Sequence, residues 1–174
     1  MFRILMISLA ALSLAACQAK APAGADSGPQ GPVADQSPAS KAFLAQNAKK
    51  PGVVVLPSGL QYKIVHSGPV AGLKPQLTDE VKVHYEGKLI DGKVFDSSYE
   101  RGQPTAMPLK GLVRGWQEAL QLMRPGDEWI LYVPSNLGYG AEGAGGGEIP
   151  GGAALIFRIE LIDVLPGPGR VQQG

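Results

Sequence analysis

One cysteine, Cys17, and two histidines, His66 and His84, are all that 174 residues offer for disulfide or zinc chemistry. A single thiol excludes an internal disulfide, and one Cys with two His falls short of the four-ligand sets that hold structural zinc. No metal site and no cofactor are expected. Charge of one sign is missing too: 16 Lys and Arg against 15 Asp and Glu leave a formal net charge of +1. That is too weak a field to capture a polyanion, so no nucleic-acid partner is expected. Charged residues make up 18% of the chain and hydrophobic ones 44%, which excludes a disordered polyampholyte and supplies one packed core. What the chain has in quantity is turn-formers, 24 glycines and 15 prolines, below the level of low complexity but enough for many turns.

Long apolar runs are also scarce. The one at the start, Ile4 to Leu14, follows a lone basic residue, Arg3, and ends in small residues before Cys17. A transmembrane helix needs about 20 apolar residues, so residues 1–16 are expected to be a cleaved export signal. Leu14-Ala15-Ala16-Cys17 resembles the bacterial lipobox, which makes Cys17 the expected lipidation site and membrane anchor. Gln18 after it resembles the sorting pattern for the outer membrane, so a periplasmic, outer-membrane-anchored location is expected. Residues 17–37 are Ala, Pro, Gly and Ser with almost no large apolar side chain, and are expected to be a flexible tether.

A short helix is expected over 38–52, with Ser37 as N-cap, Pro38 at its first position, basic residues in its last turn and a stop at Pro51-Gly52. From Val53 the pattern changes. Leu60–Val65 alternates, and Val81, Val83 and Tyr85 share one face of a strand, with Lys82, His84 and Glu86 on the other. Asp91-Gly92 is a hairpin signal leading into Val94-Phe95. Val113, Trp116, Leu120 and Met123 mark one face of a helix between Gly111 and Pro125, with Gly126 past its end. Asp127–Pro134 and Ala153–Val164 are further strands, the second with Leu155, Phe157, Ile159 and Leu161 on one side. No internal repeat occurs. Strands outnumber helices, which predicts an α+β domain, an antiparallel sheet with a helix laid across it.

Two motifs mislead. Gly138–Gly143 matches G-x-G-x-x-G, but more glycines follow where a phosphate-binding helix should start. His84 with Asp96, Ser97 and Ser98 suggests a hydrolase, yet no G-x-S-x-G elbow exists, and the serines are better placed to end a strand and start a turn. His66 and His84 are expected to be surface or strand-face residues.

Four strings occur in order: VHYEGKLIDGKVFDSS (83–98), VRGWQEAL (113–120), VPSNLGYG (133–140), and Ile149-Pro150 followed by ALIF (154–157). Together they resemble the FKBP-type peptidyl-prolyl isomerases, over about Leu56 to Leu165. The stretch FLAQN (43–47) with SGLQY (58–62) resembles the bacterial macrophage-infectivity-potentiator branch, whose long dimerising helix has no counterpart here, so a monomer is expected.

The resemblance implies a twisted antiparallel sheet wrapped around one short helix, an isomerase domain over 53–166 and a flexible tail over 167–174. It implies a pocket for a proline ring, with Trp116 as floor and Phe157 as one wall. Tyr85, Phe95, Asp96 and Tyr139 take the catalytic positions, and Arg101, Leu112, Val113, Trp116, Ile149 and Phe157 bind substrate. Asp96 is expected to accept bonds from Tyr85 and Arg101, the Val113 N–H to hold a substrate carbonyl, and Ile149 to border the Tyr139 side. The implied partners are proline-containing polypeptides. Thr105 and Met107 stand near positions where family members commonly carry aromatics, and Glu148 where an aliphatic is usual, so tacrolimus or rapamycin is expected to bind more weakly than to an archetypal member. A non-catalytic peptide-binding module or holdase chaperone using the same groove is the alternative, and a surface-displayed adhesion or virulence factor a third.

Overall fold

The computed structural model describes residues 36–168. The expected signal peptide, the expected lipidation site Cys17, nearly all of the expected tether and the last six residues lie outside the described residues. Among the described residues no helix is long and apolar enough to cross a membrane, and no cluster of His, Cys, Asp and Glu could hold a metal ion.

The elements in chain order are α1 (Pro38–Asn47), β1 (Val53–Val55), β2 (Gln61–His66), β3 (Glu80–Leu89), β4 (Val94–Ser97), β5 (Thr105–Pro108), α2 (Arg114–Leu120), β6 (Glu128–Val133) and β7 (Leu155–Leu165). The strands form one sheet in the order β1-β2-β6-β7-β3-β4, with β5 also on β3. Every pairing is antiparallel. The expected α+β class, a sheet folded over a helix, is what forms.

The period-2 reading of β3 and β7 holds because one face of each is walled by α2. Val81, Val83 and Tyr85 are buried with Leu155, Phe157, Ile159 and Leu161, against Trp116, Leu120 and Met123. Burying each large aliphatic side chain fully contributes about 1.5–3 kcal/mol, and Leu120, Met123, Leu131, Ile159 and Leu161 are all at 0% exposure. Asp91-Gly92 also turns as expected. Gly92 takes φ +93°, its N–H bonds Leu89 O, and Leu89 N–H bonds Lys93 O, a three-residue hairpin loop closed by a left-handed glycine.

Both helices are shorter than the sequence pattern suggests. α2 covers seven residues, starting after Val113 and stopping at Leu120. Leu122 and Met123 then bond back only three residues, Pro125 disfavours helical backbone at Arg124, and Asp127 Oδ2 takes the Arg124 N–H at 2.9 Å. Met123 stays buried on the expected face without being helical, and Gly126 (φ +89°) belongs to a later turn rather than to the helix end. In α1 the Ser37 cap and Pro38 are as expected, but Lys49 and Lys50 lie past its end. The buried face of α1 carries polar groups: Asn47 Nδ2 donates to Gln61 Oε1 at 3.0 Å, Gln61 Nε2 donates to Leu44 O at 2.9 Å, and Ser40 Oγ accepts the Ala154 N–H at 2.8 Å. These bonds pin α1 to β2 and to the start of β7.

Candidate active site

The register of the sheet brings the site together. On the helix-facing side Tyr85 lies opposite Ile159, and Gly87 lies opposite both Phe157 on β7 and Asp96 on β4. α2 lies across this face and presents Trp116. The result is a pocket of about 220 Å³ lined by Tyr85, Phe95, Asp96, Met107, Gly111, Leu112, Val113, Trp116, Tyr139 and Phe157.

Three aromatic contacts set its shape. The Trp116 ring meets Tyr85 edge-on (5.2 Å, 81°) and Phe157 edge-on (5.2 Å, 89°), and Phe157 meets Phe95 edge-on (5.7 Å, 87°). Edge-to-face pairs are worth about 0.5–1.5 kcal/mol each beyond their buried area, so the walls are held by one another as well as by the core beneath. Gly87 makes the arrangement possible. A Cβ there would fall 2.7 Å from Phe95 Cε2 and Cζ and 2.8 Å from Phe157 Cε1. The strand is bare at this position so that two rings can rest against its backbone.

One polar group breaks the apolar lining. Tyr85 donates its hydroxyl hydrogen to Asp96 Oδ2 at 2.6 Å and accepts from Arg101 Nη2 at 2.8 Å, while Arg101 Nη1 donates to Asp96 Oδ1. The Arg101 guanidinium also lies 5.4 Å from the Tyr85 ring centre. Burial opposes ionisation of Asp96, but the hydrogen bonds from Tyr85 and Arg101 with Arg101's charge outweigh it and hold the carboxyl below its ordinary range. Burial and the bond to Asp96 together hold the Tyr85 phenol above its ordinary value, against the pull of Arg101. Asp96 is thus an anion near neutral pH with both oxygens engaged, poorly suited to give or take a proton.

Of the expected site residues, Tyr85, Phe95, Asp96, Leu112, Val113, Trp116, Tyr139 and Phe157 converge on the pocket. Arg101 acts from outside the lining, through Asp96 and Tyr85. Ile149 is not among the lining side chains; it is buried in the same core cluster as Trp116 and Phe157 and pairs with Ala144 across the glycine loop. Met107 lines the wall, whereas Thr105 and Glu148 do not. The sequence reading gave Gly87 no role, although a lone glycine in an alternating strand signals close approach of another group. The misleading motifs resolve as expected, since Gly138–Gly143 runs through turns and Ser98 begins a turn at the end of β4.

A sheet packed over one helix, with an aromatic-walled pocket and one anchored anion in its lining, defines a protein with a preformed apolar pocket. Comparison with known proteins narrows that class. Residues 72–162 match the model of the FKBP-type peptidyl-prolyl cis-trans isomerase domain, and residues 12–64 that of the domain amino-terminal to it. The chain belongs to the FKBP-type peptidyl-prolyl cis-trans isomerase family. It is 55% identical over 125 residues to the peptidyl-prolyl cis-trans isomerase Mip of Coxiella burnetii, covering 72% of this chain and 53% of that protein. It is 50% identical over 123 residues to the outer membrane protein MIP of Legionella longbeachae, covering 71% and 52%. The chain thus spans about half the length of these curated relatives. Among solved structures, FkpA from Escherichia coli superposes with a TM-score of 0.70 at 41% identity, over 75% of this chain and 59% of that one. A peptidyl-prolyl cis-trans isomerase from Pseudomonas syringae gives 0.67 at 41% identity, over 74% and 92%.

Proposed function

We propose that this protein is a peptidyl-prolyl cis-trans isomerase acting on X-Pro bonds of exported polypeptides during folding. The observation that carries the reading is the pocket itself: an aromatic lining of Tyr85, Phe95, Trp116, Tyr139 and Phe157 with one anchored carboxylate, Asp96.

Rotation about a peptide bond costs about 18–20 kcal/mol because the planar amide loses resonance, and an X-Pro bond in water crosses that barrier in tens to hundreds of seconds. The planar amide is more charge-separated than the twisted one. Moving it from water onto Trp116, Phe95 and Phe157 therefore disfavours the ground state relative to the transition state. Asp96, Tyr85 and Arg101 form a fixed dipolar edge for the twisting carbonyl, while Tyr139 offers a hydroxyl and Val113 a backbone N–H to the flanking carbonyls. No bond is made or broken. Met107, an adaptable thioether, gives one wall more play than an aromatic ring would, so tacrolimus or rapamycin is expected to bind weakly. The chain is proposed to act as a monomer, anchored through lipidated Cys17 in the periplasm, with the outer membrane as its site.

Cis/trans exchange of a short Leu-Pro peptide, measured by NMR with the purified protein and a Trp116→Ala control, tests the reading. Acceleration that falls in the control supports an isomerase. If a folded protein accelerates no prolyl peptide yet suppresses client aggregation, the holdase reading takes its place.

A further inference from the structure

We propose that Ser98 is a positioning residue for the Tyr85–Asp96–Arg101 group, acting through the backbone of Tyr85; the inference rests on the isomerase reading above. β4 ends at Ser97, and the chain turns away through Ser98–Arg101. At that point the ladder between β3 and β4 would lose the backbone acceptor for the Tyr85 N–H. The Ser98 side chain replaces it. Its Oγ accepts the Tyr85 N–H at 2.7 Å and lies 3.2 Å from Tyr85 O, while the Ser98 N–H donates to Tyr85 O at 2.9 Å.

A third group meets the same oxygen from the other face of the sheet. His84 Nδ1 lies 3.0 Å from Ser98 Oγ, and its ring stacks on Tyr99 at 4.7 Å and 11°. A hydroxyl has one proton and two lone pairs. With one lone pair taken by the Tyr85 N–H, the proton and the other lone pair serve Tyr85 O and His84 Nδ1. The hydrogen-bonding capacity of the serine is thereby filled. Ser98 is also 0% exposed, so no water can stand in for its hydroxyl.

The consequence reaches the pocket because Ser98 lies two residues after Asp96 and three before Arg101. Fixing Ser98 to Tyr85 sets where the turn leaves β4, and so where Arg101 and Asp96 meet the Tyr85 hydroxyl, at 2.8 Å and 2.6 Å for the bonds made by that oxygen. Hydrogen bonds this short tolerate little displacement.

The test compares Ser98→Ala with Ser98→Thr, which keeps the hydroxyl. Ser98→Ala should lower kcat on a Leu-Pro peptide about five- to tenfold with KM within about twofold, and should shift the Tyr85 ring resonances in NMR spectra. Ser98→Thr should recover most of both. A folded Ser98→Ala protein with kcat within about twofold of wild type and unmoved Tyr85 resonances overturns the proposal, as does an equal loss in both variants. If Ser98→Ala does not fold, Ser98→Val against Ser98→Thr takes its place, since the two match in shape and differ in the hydroxyl; equal values then overturn the proposal. A wild type inert on every prolyl peptide would sink the isomerase reading instead, and the Tyr85 resonances alone would then decide the role of Ser98.

Discussion

Replacing Gly87 with alanine adds one methyl group at the point where β3 passes beneath two pocket rings. Its φ is not positive, so alanine can adopt the backbone and the perturbation is steric alone. The new Cβ would stand 2.7 Å from two carbons of Phe95 and 2.8 Å from one of Phe157. Non-bonded carbons rest at about 3.5–4.0 Å, so the rings must withdraw by close to 1 Å or the strand must bend. The space beyond the rings is the pocket, only about 220 Å³ in volume. Overpacking of this kind costs about 1–3 kcal/mol, and the displaced rings occupy room meant for substrate. Urea unfolding followed by tryptophan fluorescence should show that loss, and cis/trans exchange of a prolyl peptide should show a fall in kcat/KM. Adding Phe95→Leu in the alanine background removes one of the two clashes and should return part of the stability. Unchanged stability and turnover in Gly87→Ala would refute the reasoning. So would a double variant in which the two losses simply add, because residues in contact should couple.

Tyr139 is 39% exposed, so Tyr139→Phe should leave the urea midpoint unchanged while lowering kcat/KM on a prolyl peptide several-fold; an unchanged kcat/KM would remove its hydroxyl from the mechanism. Because the Asp96 carboxyl is held below its ordinary range, its contribution to stability is complete above the unfolded value near 3.9 and is lost as pH falls through the lowered folded value. Arg101→Gln should therefore flatten the acid limb of a stability-against-pH curve, and an acid limb identical to wild type would contradict the assignment. Asn47 is 0% exposed and bonded to Gln61, so Asn47→Ala should cost about 1–3 kcal/mol in urea unfolding by stranding a buried partner. A loss of that size without any change in turnover would show that α1 serves the fold and not the site.

Much of the site was legible in the sequence because its motifs are local. Strand β3 announces its buried face by alternation, Asp91-Gly92 announces the hairpin that returns Phe95 and Asp96 beside it, and Trp116 follows by helical spacing. The residues whose surroundings or roles were not foreseen depend on contacts that no local pattern encodes. Ile149 follows a glycine loop whose path is set by its pairing with Ala144. Gly87 matters only because β4 and β7 flank it with Phe95 and Phe157, and Met107 enters the wall only because β5 pairs with the far half of β3.

The sequence by itself determined the fold class, the faces of the long strands and the hairpin, since periodicity and turn chemistry act over a few residues, while the residues of the pocket were implied by the family resemblance of four ordered motifs. Tertiary structure alone decided where the helices stop, because Pro125, Asp127 and Gln61 compete for their ends. It also decided which glycine is bare for packing, and that His84 and Ser98, adjacent to the site in sequence, tie the backbone of Tyr85. The physical reason is range: alternation and capping are settled among neighbours, whereas a hydrogen bond or a ring contact across the sheet exists only once distant segments have met.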